Sequence, residues 1–482
     1  MKKRLFKQSG LLLFSVLFLY PSNEVLASPP TNGVIPDNSP AIEQPKLLER
    51  QTRTTLPRIH DPRATNNLAV KNQGSLNICW AFASNAALEH HYEKKNGTPI
   101  SLSERHSDYF FARNATSILN ENPLAYNRNL GAGGQEAATF YSSIRWKSPV
   151  LEKDMPFQLS LKPLSLIDLD KPTPFHVQGI VDIPKLSKDY TNSEQVARVN
   201  EIKKETLTNG GVTFRNNGKY LQSTNAHYNA KTDSYFTAIK NNPSAINHVC
   251  LIVGWDDNFS KSNFSTPPSQ NGAFIVKNSW GTSYNDGGYF YVSYEDYHLM
   301  TNDSHAISSI ENNNNYAHQY SKTDFITPST ESSYSIDSPH YYLSNNYDAP
   351  KNNHEIIKAI GIRTVQYNTP YEIYINPNGT ENKNLKNLIK VAEGIKESPG
   401  FETVRLKEHI PIYSKDKFSV VIKFKRPDGA ALAYFPAEFT WISDKVDVSN
   451  QSFYSSSRSD TSLNFQSLKT DFYIHVYTDD LK

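Results

Sequence analysis

The sequence of 482 residues predicts an α+β domain followed by an all-β sandwich, and three observations carry that expectation. An alanine-rich helical segment opens at Cys79, well ahead of the apolar runs between residues 248 and 294 that read as strands. Beyond residue 332 the chain becomes a series of short β-rich runs separated by turn residues. The length also exceeds what one core normally serves, so two domains are expected, at residues 56–312 and 313–482.

The first element is a leader. Residues 1–27 have a basic start, an apolar run over 11–20 and the ending Val25-Leu26-Ala27, whose small last residue suits a signal peptidase. The apolar run is shorter than the roughly 20 residues of a spanning helix, and no later segment qualifies. The expectation is an exported protein, secreted or periplasmic, with no stable membrane span. Residues 28–55 carry prolines at 29, 30, 36, 40 and 45, which fix φ and remove backbone donors. They read as an extended arm.

Ala83, Ala86, Ala87 and His90 then recur at helical spacing, and Asn96-Gly97 suits a C-terminal cap. This helix is expected to be buried, with Cys79 in its first turn. Residues 157–245 show one clear element, a helix near 193–208 with Val196, Val199 and Ile202 at three-residue steps. Strands follow at 248–255 and 273–277, and Gly287-Gly288 introduces a hairpin partner at 289–294.

Around 311–332 the composition shifts to Asn, Ser and Thr, as at a domain boundary. The β-rich runs beyond it cover 356–365, 371–375, 388–392, 403–406, 417–424, 431–435 and 472–477. Asn376-Pro377-Asn378-Gly379 and Pro427-Asp428-Gly429 supply turns between them, and a sandwich of about eight strands fits.

Composition excludes more than it assigns. The net charge of +2 falls to −1 without residues 1–27, so no basic face for nucleic acid is implied. Cys79 and Cys250 are the only cysteines, so stability rests on core burial and not on disulfides.

A lone cysteine is more often a small buried hydrophobe than a nucleophile. The surroundings of Cys79 reverse that expectation. A helix N-terminus and an imidazolium partner are the two aids that hold a thiol as thiolate at neutral pH. Gln73, six residues upstream, offers an amide N–H that would join the backbone N–H of Cys79 around an oxyanion. His248 alone would be a core histidine; with Asn278 at the end of the next strand, its ring gains a group to fix its orientation, and Trp280 gains a role in covering that hydrogen bond. Cys250 shares a strand face with His248 and reads as core packing.

The run Gln-Gly-Ser-x-x-x-Cys-Trp-Ala-Phe, here Gln73 to Phe82, with Asn247-His248-Val249 and Lys277-Asn278-Ser279-Trp280-Gly281, closely resembles the papain-like cysteine peptidase family. The resemblance covers about residues 56–310 and implies a papain-like fold of two subdomains. It also implies Cys79 as nucleophile, His248 as base and acid, Asn278 as orienting group and Gln73 as oxyanion donor, with no metal or cofactor. Gly133 and Gly134 resemble the glycine pair that binds an extended substrate backbone, and Ile246 and Val249 stand where the family builds its main specificity pocket. Three features depart from the family. Leu76 replaces a disulfide-forming cysteine; His248 and Asn278 lie 169 and 199 residues beyond Cys79, against about 130–150 in the family; and the proline-rich arm is too short for a helical pro-domain. Residues 313–482 resemble the lectin-like β-sandwich of some bacterial papain-like peptidases, on Tyr371-Glu372-Ile373-Tyr374 and Lys417-Phe418-Ser419-Val420-Val421.

The expected function is an exported cysteine endopeptidase acting on protein or peptide substrates through an acyl-enzyme, made as a zymogen whose short proline-rich pro-segment, residues 28–55, would lie across the cleft and keep the enzyme latent until cut. A carbohydrate or other cell-surface ligand is an open partner class for the sandwich, since a fold name does not establish sugar binding. The competing class is a non-catalytic adhesin that uses the sandwich and carries a degenerate peptidase domain.

Overall fold

The computed structural model describes residues 33–34, 41–45, 55–65, 69–112, 128–165, 169, 171–238, 246–322, 333–350, 354–413, 417–436, 451–467 and 471–481. The leader at 1–27 lies outside the described residues, as do 28–32, 35–40 and 46–54 of the arm. No helix among the described residues is long and apolar enough to cross a membrane.

The helix Cys79–Asn96 runs through the centre of the first domain. Its alanines favour helix, Lys94 and Lys95 complement the dipole in its last turn, and Gly97 ends it in the left-handed conformation with its N–H on Glu93 O. Residues on every side are buried, because the helix is packed against the helix Glu136–Ser143 and against the strand His248–Asp256. That strand pairs with Val212–Asn216 and Ala273–Lys277, and Tyr289–Ser293 completes the predicted hairpin. Alternation along it divides the core. Val249, Leu251 and Val253 face the Cys79 helix, while Cys250 and Ile252 join a second cluster with Phe214, Phe274 and Trp280. The helix expected near 193–208 spans Asn192–Asn209 with a complete capping box; Val199 and Ile202 are buried, but Val196 points to solvent.

The C-terminal part is a sandwich. A five-stranded sheet, ordered Ile389–Lys396, Thr369–Asn376, Lys417–Lys425, His340–Asp348 and Ser452–Ser455, packs on a six-stranded one across a shared apolar cluster. In Lys417–Lys425 the residues Phe418, Val420, Ile422 and Phe424 all enter that cluster, as period-two alternation requires. Eleven strands lie beyond residue 313 among the described residues, more than the eight expected. Strand His340–Asp348 was not anticipated, since its Ser344, Asn345 and Asn346 lack the apolar run that marks a strand.

The six-stranded sheet joins the two domains. Its order is His318–Tyr320, His475–Asp480, Glu355–Thr364, Gly400–Ile412, Phe175–Ile183 and Ser304–Asn312, so two strands of the first domain continue the sheet of the second. Phe175–Ile183 lies within the long stretch between Cys79 and His248. That strand, paired with Gly400–Ile412 on one side and Ser304–Asn312 on the other, builds the seam. Asp182 holds it chemically, accepting from Tyr141 at 2.5 Å, facing His305 Nδ1 at 2.9 Å and lying 3.4 Å from the Arg363 guanidinium.

Candidate active site

Cys79 is the first residue of its helix, and the N-cap residue Ile78 has no side chain able to bond the free amides. The sulfur is fully buried. Burial pushes its thiol up to about 12, against backbone hydrogen bonds from Val249, Trp80 and Cys79 itself that favour the anion; the nearby Glu136 charge pushes it further up. The Val249 contact brings the sulfur beside the start of the His248 strand.

His248 Nε2 lies 2.9 Å from Asn278 Oδ1. Two further donors reach the same oxygen, the Ser279 N–H at 2.8 Å and the Cys250 thiol at 3.5 Å. Convergence of donors places Oδ1, and not the amide nitrogen, toward the ring, so Nε2 carries the proton and Nδ1 keeps its lone pair. Nδ1 is buried and has no hydrogen-bond partner among the described residues. Trp280 stacks on the imidazole at 4.7 Å and is itself met edge-on by Tyr284. Burial lowers the His248 ring to about 4, although the Asn278 hydrogen bond acts in the opposite direction.

Gln73 is clamped at both ends. Its backbone N–H donates to Ser279 O at 2.9 Å, its Oε1 accepts from Ser279 Oγ at 2.6 Å, and its Nε2 donates to Leu76 O at 2.7 Å. An amide has two N–H donors, so one remains available. Leu76 and Leu161 close over Gly131, where a Cβ would stand 3.3 and 2.7 Å from their methyl carbons; apolar packing fills the place of the absent bridge, and both cysteines are free.

Gly133 and Gly134 form the opposite wall. Gly134 lies so close on the Trp80 indole that a Cβ would stand 2.6 Å from it. Arg128 fixes this wall from behind, donating to Ala132 O at 2.8 Å and Gly133 O at 3.2 Å, pairing with Asp108 and lying 4.9 Å from the Trp80 ring centre. Ile246 and Val249 are buried on the His248 side.

Gly33 and Val34 of the arm lie between these walls. Gly33 N–H donates to Asn247 O at 2.8 Å, Gly33 O accepts from Gly134 N–H at 3.4 Å, and Val34 forms a parallel bridge with Gly134. Farther along, Gln44 bonds Val365 O at 3.1 Å, and the Gln366 amide bonds Glu43 O at 2.9 Å, so the sandwich holds the arm's later part.

Sequence reading passed over Gly33 and Arg128 and took Cys250 as core packing, which its place in the second cluster bears out, without its contact to Asn278. Cys250 is marked by its two-residue offset from His248 on one strand face; Gly33 and Arg128 act through neighbours that are distant in the chain.

Comparison with known proteins fits this geometry. The model of the papain family cysteine protease matches residues 56–310, more than half of the chain, and the lectin-like domain model matches 322–478. Among curated relatives, gamete and mating-type specific protein A of Dictyostelium discoideum is 26% identical over 46% of this chain and 40% of its own length. Pro-cathepsin H of Mus musculus is 26% identical over 46% of this chain and 55% of its own. The chain thus spans about half the length of the curated relatives it matches. In solved structures, the cysteine protease and lectin-like domains of Cwp84, a surface layer associated protein of Clostridium difficile, share the fold at a TM-score of 0.73, with 24% identity and 93% of each chain covered. Clostridial Cwp84 after propeptide cleavage matches at a TM-score of 0.69 and 25% identity, over 87% of this chain and 99% of that one. The α+β fold with its β-sandwich and the thiol chemistry of the site agree with the family match, and the chain belongs to the papain family of cysteine proteases.

Proposed function

We propose that the chain is an exported cysteine endopeptidase made as a zymogen, with domains at 56–312 and 313–482 and with residues 28–55 as the latency segment. Cys79 is the nucleophile, His248 the base and acid, Asn278 the orienting group and Gln73 an oxyanion donor; Gly133, Gly134, Ile246 and Val249 contact substrate. In the reaction the Cys79 thiolate adds to a peptide carbonyl. The imidazolium of His248 passes its proton to the departing amine as the C–N bond breaks. Water, giving a proton to His248, then adds to the thioester carbonyl, and as the C–S bond breaks the acid is released and the thiolate is regenerated beside the protonated ring. The free N–H of Gln73 and the Cys79 amide receive the oxyanion at each addition.

The observation that carries the reading is the course of the arm. Gly33 spans the two walls with the backbone bonds that an extended peptide would make, directly over Cys79. The sandwich, holding the arm and sharing a sheet with the peptidase, serves as a module that places the enzyme at a cell surface, with a carbohydrate or protein ligand there. Surface association is stated for Cwp84 and supports that part of the proposal by likeness.

The test is hydrolysis of an unfolded protein by the full chain and by Cys79→Ala. Wild-type chain should release internal fragments after its arm is cut, and the variant none while unfolding at the same temperature. Equal proteolysis by the variant would end the assignment.

A further inference from the structure

Beside the cleft lies an ion pair that the peptide-cleaving chemistry does not use. Glu136 begins its helix two residues after Gly134, and its Oε1 lies 2.8 Å from Arg215 Nε. His305 Nε2 stands 4.0 Å from the same oxygen. Both members of the pair are buried, at 0% and 3% exposure, and Glu136 Oε2 has no hydrogen-bond donor among the described residues. Burial pushes the Glu136 carboxyl up, but the Arg215 charge and hydrogen bond, the His305 charge and the residue's own backbone N–H together hold the group below its ordinary value.

Register and chain position relate the pair to an arm side chain. Arg215 is the register partner of Val249, so their side chains leave the sheet on one face. That face meets the cluster containing Val249, Ile246, Ala137, Ala138 and Val34. Val34 is 5% exposed, and its bridge partner Gly134 is two residues from Glu136. A valine leaves a bare carboxylate oxygen unsatisfied, since it has no donor to offer.

We infer that Glu136 and Arg215 form the floor of the recess that Val34 fills, and that they select substrates whose side chain there ends in an N–H donor, lysine or glutamine, over aliphatic ones. The inference rests on the reading of the arm as an occupant of the substrate groove. The donor satisfies Oε2, while Arg215 keeps the carboxylate charged and oriented. A substrate carboxylate would meet that oxygen with like charge and be rejected.

Four peptidyl-aminomethylcoumarins, identical except for Lys, Gln, Met or Glu next to the acylated residue, test it on the activated full chain with active sites titrated by a thiol-directed epoxide. Lys and Gln should exceed Met in kcat/KM by about tenfold, with Glu lowest. Glu136→Gln keeps an acceptor for Arg215 but turns an N–H toward the recess, so the Lys and Gln advantage should vanish and Glu should rise by about tenfold. Met equal to or above Lys and Gln in wild type overturns the inference, as does an unchanged ranking in a Glu136→Gln chain that titrates fully. If that variant does not fold, the wild-type ranking decides alone. No cleavage of any peptide with Cys79 inert to the epoxide would instead sink the peptidase reading and this inference with it.

Discussion

Gly33 crosses Cys79 so closely that a Cβ built on Gly33 would stand 2.4 Å from the sulfur. No residue other than glycine fits that crossing without displacing the arm or the thiol. With Gly33 over the sulfur, Cys79 and His248 are both fully buried, and desolvation pushes both partners to their neutral forms: Cys79 up to about 12, His248 down to about 4.

The first prediction concerns that pair. Between those two values the covered site holds a neutral thiol and a neutral ring. With the arm cut away, hydration and the restored attraction of opposite charges should bring the thiol well below its covered value and raise the ring. The rate of Cys79 alkylation against pH, measured before and after arm cleavage, should show the inflection move to lower pH. Gly33→Leu should loosen the uncut arm and speed alkylation at pH 7 by about tenfold or more, since overpacking a tight contact typically costs 1–3 kcal/mol. An unchanged rate would mean that the arm does not guard the sulfur.

A second prediction follows from the three donors on Asn278 Oδ1. Asn278→Ala frees the ring and should lower kcat by about tenfold to a hundredfold with little change in KM, because misplacement of a reacting group by about 1 Å costs that much. Cys250→Ala removes one weak donor and should cost no more than about tenfold, given a net worth of about 0.5–1.5 kcal/mol for such a bond. Steady-state kinetics with a pH profile checks both, and full activity of Asn278→Ala would be incompatible with an orienting role.

Arg128 should behave differently, because it shapes the glycine wall from behind. Its guanidinium bonds the carbonyls of Asp108, Ala132 and Gly133, while Asp108 accepts the Gly131 N–H at 2.9 Å. Arg128→Met leaves the Asp108 carboxylate buried and unpaired and should cost about 3–5 kcal/mol in stability. In the folded fraction KM should rise more than kcat falls, and Arg128→Lys should rescue poorly because an ammonium cannot serve a planar set of acceptors. Thermal unfolding and active-site-titrated kinetics provide the two measurements.

The seam between domains should weaken in acid. Burial raises the Asp182 carboxyl, but the hydrogen bond and charge of His305, with Arg363 and Tyr141, hold it down to about 2. A depressed folded value means stability that is present above the ordinary carboxylate range near 3.8 and lost as pH falls from there toward 2. Asp182→Asn should therefore unfold at lower temperature than wild type at pH 7, by about 2–3 kcal/mol of stability, and the gap should close as the pH falls through that window. A gap independent of pH would assign the effect to packing.

The chemistry-bearing residues were legible because their signals are local. Gln73 and Cys79 stand in one short motif, Asn96-Gly97 is a helix stop, and the strand carrying His248 is a continuous apolar run. A β-rich run likewise marked 417–424, and the strand there spans Lys417–Lys425. The polar strand His340–Asp348 escaped because pairing on both sides, and not composition, makes it a strand.

Residue order alone thus determined the apolar elements, the motif positions and the two kinds of domain, since backbone propensity and side-chain period act over a few neighbours. Only the tertiary structure decided that Phe175–Ile183 would continue the sheet of the sandwich, that Gly33 would lie on the thiol, and that Arg215 would meet Glu136. Those contacts join residues tens to hundreds of positions apart. Their free energy comes from burial and from charges paired out of water, and neither exists until the chain has closed on itself.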